Sequence, residues 1–248
     1  MYVIMSIYRM ECKDGVSMIT REQYQFLKNH PSFEHLPVEY FDQIAKKTRF
    51  RKIPKGQIFF YAGDRREYLF VLFKGYARIE QYDETDTFSY LDYIREGGAF
   101  PFGDIFQNDY YHYTAIAVTD LEYFLIPMDL YEQTALKCPE QLMYICKKLS
   151  RILTFQEMRL RNAMSSRASE RVEQILGLLF WDMCRRDQLV TLPFEMHIQE
   201  ISRLAATTRE TASHVMKQLK KDKRIAYAHK KLTFLDVDYF LENLTETY

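Results

Sequence analysis

Residues 198–219 read IQEISRLAATTRETASHVMKQL and carry the strongest structural signal in this 248-residue chain. Two short amphipathic segments, 198–205 and 208–219, lie on either side of the junction Ala206-Thr207. The second segment has, at helical spacing, an apolar side formed by Ala212, Val215, Met216 and Leu219. Its opposite side offers side chains that can form hydrogen bonds, namely Arg209, Glu210, Ser213, His214 and Lys217. The pattern predicts two helices joined by a tight turn, with one face of the second helix left free to lie in a groove.

The charge around these two segments is local. From residue 197 to residue 231 the sequence holds nine lysines and arginines against three acidic residues, a net charge of +6. The whole chain balances 34 basic residues against 34 acidic ones. A basic surface beside a helix of groove width matches the phosphates of DNA, so the region predicts a helix-turn-helix that binds double-stranded DNA. An ordinary helical hairpin with solvated charges is the alternative.

Composition is that of a globular protein. Hydrophobic residues make up 47% of the chain and aromatic residues 15%, which is enough for real cores and argues against disorder. The four cysteines lie far apart: Cys12, Cys138, Cys146 and Cys184. Their spacing is typical of reduced thiols in a cytoplasmic protein and not of a disulfide framework or a metal site. No apolar run is long enough to cross a membrane, and Met18 competes with Met1 as the first residue.

Residues 50–126 alternate short β-branched and aromatic runs with turn signals. The turn signals are Pro54-Lys55-Gly56, Gly63-Asp64, Lys74-Gly75, residues 83–86, Gly97-Gly98 and Thr119-Asp120. Many short strands at roughly 8–12-residue spacing are typical of a β-sandwich or β-barrel. The segment before it, residues 20–48, has a helical pattern that breaks at His30-Pro31 and restarts near Pro37.

A long helix is predicted from Pro139 to about Met164. Residues that share one side of this helix recur about every 3.5 positions. They are Leu142, Ile145, Leu149, Ile152, Gln156 and Leu160. A stripe of this length can face both the β domain and a second copy of the chain, so we expect a homodimer with this stripe as the seam. A helix that packs only on the β domain is the alternative.

The C-terminal third has the signals of a separate DNA-binding domain. Ser165-Ser166 and Ser169 predict a hinge and an N-cap before a helix over residues 170–184. After the second amphipathic segment, strands over 224–227 and 232–235 form a hairpin whose lysine-bearing tip can reach a phosphate. Asp236 or Asp238 is expected to cap a final short helix. The predicted domains are residues 1–138, 139–164 and 165–248.

In this order, a jelly-roll-like β-barrel, a long dimerisation helix and a winged helix-turn-helix form an α+β architecture that resembles the CRP/FNR family of bacterial transcription regulators. The resemblance covers residues 25–245. It rests on Thr208-Arg209-Glu210-Thr211 with His214, on Arg171-Val172, and on the barrel pattern Lys55-Gly56, Gly63-Asp64, Tyr68, Gly75 and Arg78-Ile79. Within the family the chain looks most like the Gram-positive regulators of arginine deiminase operons. The resemblance implies a cytoplasmic homodimer on a palindromic operator, with RNA polymerase as a further partner if it activates transcription.

The resemblance also assigns roles on the second helix. Arg209 matches an arginine that contacts guanine O6 and N7, and Glu210 matches a glutamate that accepts a hydrogen bond from cytosine N4. Ser213 matches a position that some members use to touch a base. His214 stands where many members have arginine, which leaves the third base contact open because imidazole lacks the guanidinium fork. The residues expected at phosphates are Thr207, Thr208, Thr211 and Lys217.

Members of the family that bind cyclic nucleotides use a Gly-Glu pair for the ribose and an Arg-Ser or Arg-Thr pair for the phosphate. The matching segments here, residues 98–105 and 110–115, contain no arginine to neutralise a phosphate. We therefore expect no cyclic AMP binding through the usual contacts, with His112 or Thr114 as the less favoured substitutes. No cofactor is predicted, since the cysteine cluster of the iron–sulfur members is missing.

The aromatic residues near these segments have three interpretations. They are Phe100, Phe102, Phe106, Tyr110, Tyr111 and Tyr113. The simplest is core and lid packing. The others are an apolar pocket for an unidentified small-molecule effector and a rigid filler that holds a permanently active dimer.

Two rival classes of function fit the sequence less well. An enzyme is not supported, because the chain has no G-x-S-x-G, H-E-x-x-H or phosphate-binding glycine loop and only 8 glycines in 248 residues. A cyclic-nucleotide-binding module that regulates a protein partner without touching DNA does not account for Arg209, Glu210 and the basic hairpin. A sequence-specific DNA-binding regulator with no catalytic residues is therefore the expectation.

Overall fold

The computed structural model describes residues 19–82, 89–163 and 167–245. The helices are α1 (Arg21–Lys28), α2 (Val38–Lys47), α3 (Met128–Ala135), α4 (Pro139–Ala163), α5 (Ala168–Met183), α6 (Ile198–Leu204), α7 (Arg209–Lys221) and α8 (Val237–Thr245). The strands are β1 (Arg49–Ile53), β2 (Ile58–Phe60), β3 (Tyr68–Lys74), β4 (Ala77–Tyr82), β5 (Ser89–Ile94), β6 (Ala99–Phe100), β7 (Thr114–Ala117), β8 (Leu121–Pro127), β9 (Ile225–Ala228) and β10 (Lys231–Phe234). The expected order of β-barrel, long helix and winged helix-turn-helix is confirmed.

The chain forms two compact units. The first contains residues 1–78 and 94–153, and the second contains residues 79–93 and 154–248. The β4–β5 hairpin therefore groups with the C-terminal elements, which chain order alone does not suggest. The domain boundaries after residues 138 and 164 remain predictions from the sequence. No helix in the described ranges is both long and apolar enough to span a membrane.

Two four-stranded sheets form the β region, with strand orders β1-β8-β3-β6 and β2-β7-β4-β5. In the first sheet β3 and β8 run antiparallel, with Phe70 opposite Leu125 and Val71 opposite Phe124. Alternate side chains of a strand point to opposite faces. Leu69 and Val71 accordingly join the core beneath the helices, whereas Phe70 contacts the rings on the other face of the sheet.

The helices of the first unit begin where the sequence signals predict. Thr20 caps α1 in a reciprocal pair with Gln23, each side chain bonding the other residue's backbone N–H at 3.2 and 2.8 Å. The break at His30-Pro31 separates α1 from α2 as expected. Tyr131 of α3 is fully buried, and its hydroxyl donates to the carbonyl of Ser32 at 3.1 Å. The turn between α1 and α2 is thereby tied to the core.

Helix α4 presents two neighbouring apolar stripes, and the first unit covers one of them. Ile145 is 1% exposed, and Leu142 and Leu149 pack against the same core. These three members of the predicted seam are thus already in contact with their own unit. Ile152 and Leu160 of the predicted seam are exposed, as are Met143 and Leu153, which the sequence places beside that seam.

In the second unit, the end of α4 holds β5. Arg159 donates from Nη2 to the carbonyl of Leu91 at 2.7 Å. Its Nη1 lies 3.1 Å from Oδ2 of Asp92, a charge contact without hydrogen-bond alignment. Gln156, another predicted seam residue, donates to the hydroxyl of Tyr90 at 3.0 Å. Gln156 is therefore half-buried against β5.

Tyr93 extends this contact from β5 to the loop before α6. Its ring stacks on Phe194 with centroids 4.6 Å apart, and its hydroxyl lies 3.7 Å from the sulfur of Met196. The hairpin thus packs within the second unit through aromatic area as well as charge.

The start of α5 differs from the expectation. The helix begins at Ala168 with Arg167 as N-cap residue, so the prediction that Ser169 caps it is wrong. Arg171 N–H reaches the carbonyl of Arg167 at 3.2 Å, which places the first turn ahead of Ser169. Residues 165 and 166 of the predicted hinge lie outside the described residues, as do Cys12 and Met18.

The remaining C-terminal elements match the sequence pattern within one to three residues. Asp236 caps α8 by accepting from the N–H of Tyr239 at 3.1 Å, which selects Asp236 over Asp238. Gly177 lets α5 approach α8, because a Cβ there would lie 2.9 Å from the carbonyl oxygen of Phe240.

Replacing Arg159 with methionine should loosen β5. The change removes the donor to Leu91 and leaves the carboxylate of Asp92 without its cation. We expect the free energy of local opening of β5 to fall by about 1–3 kcal/mol. Amide hydrogen exchange over residues 89–93 measures it. Arg161→Met, on the exposed side of the same helix, is the matched control, and equal exchange in both variants would contradict the role of Arg159.

Candidate nucleic-acid interface

The two helices of the predicted motif are α6 and α7, joined by residues 205–208. Ala206 has a positive φ of 46°, which is uncommon outside glycine and sharpens the turn. Arg171 of α5 holds this turn by donating from Nε to the carbonyl of Ala205 at 3.0 Å and from Nη2 to that of Ala206 at 3.1 Å. Thr207 N–H reaches the carbonyl of Ser202 at 2.9 Å. The turn is therefore fixed by long-range as well as local bonds.

Thr208 is the N-cap residue of α7. Its φ and ψ of −78° and 155° are extended, and its hydroxyl accepts from the N–H of Thr211 at 3.2 Å. The Thr208 and Thr211 hydroxyls lie 3.1 Å apart. Both residues were predicted as phosphate partners, and the structure also gives them this local role. The other N–H groups of the first turn have no partner within the helix, which favours a negative charge at this end.

The apolar face of α7 is buried as predicted. Its members are 0–5% exposed: Ala212, Val215, Met216 and Leu219. The polar face points to solvent, with Arg209, Glu210, His214 and Lys217 exposed and Ser213 half-buried. In the described part of the chain, no hydrogen bond or ion pair engages these five side chains. They are free to bind an external partner.

The predicted wing is the hairpin of β9 and β10. Leu232 pairs with Tyr227 and Phe234 with Ile225. The turn residues His229 and Lys230 have positive φ angles of 49° and 63°, which is the geometry of a tight two-residue hairpin loop. Lys230 and Lys231 are exposed at its tip. The wing thus adds basic side chains to the unit that carries α7.

In the β region the predicted aromatic residues divide into two groups. Phe100, Phe102 and Tyr111 are 3–4% exposed and form packing, whereas Phe106 and Tyr110 are 42% and 59% exposed. Tyr113 is half-buried, intermediate between these groups. Phe60 stacks on Tyr111 with centroids 3.7 Å apart, and Phe70 stacks on Phe100 at 5.5 Å. The face of the first sheet that is turned away from the helices is therefore filled with rings.

Burial raises the pKa of the Tyr111 hydroxyl to about 12. This hydroxyl donates to the carbonyl of Tyr68 and accepts from its N–H, both at 3.1 Å. The polar tip of the ring is thus satisfied inside the protein.

The two residues expected as substitutes for a phosphate ligand, His112 and Thr114, form contacts within the protein. His112 Nε2 lies 2.7 Å from Oδ1 of Asp104, and Thr114 Oγ1 accepts from the N–H of Ala62 at 3.1 Å. Both candidate substitutes for a phosphate ligand therefore have protein partners.

Arg66, which no sequence motif marks, donates to Glu132 at 2.8 Å and to the carbonyl of Asn108 at 2.6 Å. Glu132 in turn accepts from the N–H of Phe106 at 2.9 Å. No local pattern identifies this pair, because its partners are distant in sequence.

Comparisons with known proteins agree with this arrangement. A family model described as a cyclic nucleotide-binding domain matches residues 50–137, and one described as a Crp-like helix-turn-helix domain matches residues 170–242. The HTH-type transcriptional regulator ArcR of Staphylococcus epidermidis is 30% identical over 214 residues, which cover 84% of this chain and 92% of that protein. The global nitrogen regulator of Synechococcus elongatus is 22% identical over 182 residues, or 72% and 82% of the two chains.

Solved structures share the fold. The structure of FixK2 from Bradyrhizobium japonicum has a TM-score of 0.68 at 15% identity and covers 79% of this chain and 96% of its own. TTHA1359, a CRP/FNR family transcriptional regulator from Thermus thermophilus, has a TM-score of 0.62 at 22% identity, with coverages of 79% and 98%.

Replacing Thr208 with alanine should destabilise the start of α7. The change removes the acceptor of the Thr211 N–H and is expected to lower the free energy of unfolding of this unit by about 1 kcal/mol. Thr208→Ser keeps the acceptor and should remain close to the original protein. Hydrogen exchange of the α7 amides at increasing urea concentration measures the difference. Equal losses of unfolding free energy in the two variants would contradict the role of Thr208 as the cap.

Proposed function

The chain belongs to the CRP/FNR family of transcription regulators, and we propose that it binds its operator as a homodimer and reads the major groove with α7. The observation that carries this proposal is the exposed face of α7, where Arg209 and Glu210 begin the helix without any partner in the described part of the chain. Two-fold symmetry predicts a palindrome whose half-site centres are about 34 Å apart, one turn of B-form DNA.

Base recognition is assigned to the first two turns of α7. Arg209 is proposed to donate to guanine O6 and N7, and Glu210 to accept from cytosine N4, because these side chains match the hydrogen-bonding edges of the bases. His214 has one donor and one acceptor when neutral and supports a weaker contact than arginine would. Lys217 and the threonines at positions 207, 208 and 211 are proposed to contact phosphates, which orient the helix without selecting a sequence.

The dimer seam is proposed to be the exposed stripe of α4. Its positions alternate in steps of three and four residues: Met143, Cys146, Ser150, Leu153, Glu157 and Leu160. That spacing is the heptad pattern of paired helices. Ile152, which is 37% exposed, lies at its border. Of the seam proposed from sequence, Leu142, Ile145 and Leu149 are left to the core of the first unit.

We also propose that the barrel does not bind cyclic AMP through the family's usual contacts. A nucleotide phosphate would meet stacked rings and a paired His112, and the desolvated charge would lack a counter-ion. The buried rings support core packing as the interpretation of Phe100, Phe102 and Tyr111. No cofactor is required for DNA binding in this proposal.

Selection of binding sites from random DNA tests the role of α7. Arg209→Ala and Glu210→Ala should each cost about 1–3 kcal/mol at one base pair of each half-site and relax the preference there. Lys217→Ala is the matched control on the same helix. It should weaken binding to all sequences and reduce the salt dependence by about one charge. An unchanged base preference in both Arg209→Ala and Glu210→Ala would refute the assignment.

Cysteine cross-linking tests the seam. Cys146 is exposed on the proposed stripe, whereas Cys138 and Cys184 are buried. In a Cys12→Ser background, mild oxidation should link two chains through Cys146, because seam positions of paired helices come within the roughly 4.4–6.8 Å Cα separation that a disulfide needs. The link should vanish in Cys146→Ser.

Charge insertion provides a second readout of the same seam. Leu153→Asp should give monomers by sedimentation, whereas Thr154→Asp, exposed on the next residue of the helix, should remain dimeric. Dimers that survive Leu153→Asp and do not cross-link through Cys146 would contradict the proposed stripe.

A further inference from the structure

A cleft lies in the first unit between residues 31–35 and the first half of α4. Its volume is about 690 Å³, within the range of small-molecule sites. Three cationic side chains of α4 line it within five residues: Lys147, Lys148 and Arg151. All of the residues that line the cleft belong to the first unit, and none of them is one of the stacked rings.

Lys148 is the most informative of these cations. Its ammonium group lies 4.0 Å above the ring of Phe102 and 3.4 Å from the carbonyl oxygen of Ala99. Within the described residues no carboxylate forms an ion pair with it. Burial lowers the pKa of Lys148 to about 8. A largely buried cation without a counter-ion is costly, and a bound anion would offset that cost.

The two carboxylates at the cleft do not neutralise the three cations. Glu34 lies 3.5 Å from the ring of His35, and Glu140 accepts from the thiol of Cys138 at 3.5 Å. Burial raises the pKa of the Tyr144 hydroxyl, and the charge of Arg151 opposes that rise. The cleft therefore keeps an excess of positive charge.

The wall of the cleft is built into the core of the unit. Ser32 Oγ and the hydroxyl of Tyr144 lie 3.2 Å apart. The carbonyl of Ser32 accepts from Nε2 of Gln141 at 2.8 Å and from the hydroxyl of Tyr131 at 3.1 Å. Gln141 and Tyr131 are fully buried. These bonds hold the 31–35 turn against α4, so the cleft is formed before any ligand arrives.

We propose that this cleft binds a small anionic metabolite through its phosphate or carboxylate group. Arg151 offers two parallel donors to such a group, and Lys147 and Lys148 supply point charges. The prolines at positions 31 and 139 also line the cleft and offer apolar surface to the rest of the bound metabolite.

Isothermal titration calorimetry of the full-length protein tests the proposal, with inorganic phosphate and citrate as the two probes at constant ionic strength. We expect one saturable site per chain for at least one probe. Lys148→Met and Arg151→Met should each weaken binding at least tenfold. Lys46→Met, an exposed lysine at the end of α2, should leave it unchanged. Saturation by phosphate alone indicates a phosphorylated ligand, and saturation by citrate alone indicates a carboxylate.

Titration of Lys148 by NMR gives an independent readout. A saturating probe should raise the pKa of Lys148 from about 8, because a nearby anion favours the charged amine. Arg151 is exposed, so Arg151→Met keeps the test valid should Lys148→Met fail to fold. Absence of saturable binding by both probes, or binding that Arg151→Met leaves intact with no change in the pKa of Lys148, would overturn the proposal.

Discussion

Burial of one side of α7 determines where its other side points. Residues three and four apart share a face of a helix, so covering Ala212, Val215, Met216 and Leu219 leaves the intervening polar side chains in solvent. The cap at Thr208 and the turn held by Arg171 then set the position of the helix start. Arg209 and Glu210 follow at once, on an exposed end that favours negative charge. The proposed reading of DNA by α7 rests on that combination of a packed face and a free start.

Helix α4 shows how one element can serve several contacts at once. Ile145 belongs to the core of the first unit, Arg159 holds β5 in the second, and Leu153 lies in solvent at 60% exposure. A 25-residue helix makes about seven turns, so different turns and different sides of it can make separate contacts. Its exposed side carries the stripe proposed above as the dimer seam.

The β region and the cleft on α4 differ in the ligand chemistry that they can accept. In the β region, rings such as Phe60 and Tyr111 stack on one another and present apolar surface. Three cations, Lys147, Lys148 and Arg151, instead line the cleft. If this protein responds to an anion, electrostatics favours the cleft over the barrel interior as the place where it binds.

Sequence periodicity and capping signals alone were sufficient to predict the helix-turn-helix, the wing and the extent of α4. The sequence also shows directly that residues 98–105 and 110–115 contain no arginine. Each of these depends on residues within a few positions of one another. The buried side of α4 was different, because its two apolar stripes, one through Ile145 and one through Cys146, are one residue apart and only docking on the β-barrel selects between them. Three further contacts likewise join residues more than thirty positions apart. They are Arg66 with Glu132, Arg171 with the α6–α7 turn, and Lys148 with the ring of Phe102. Such contacts follow from the packing of the whole unit, which no local pattern encodes.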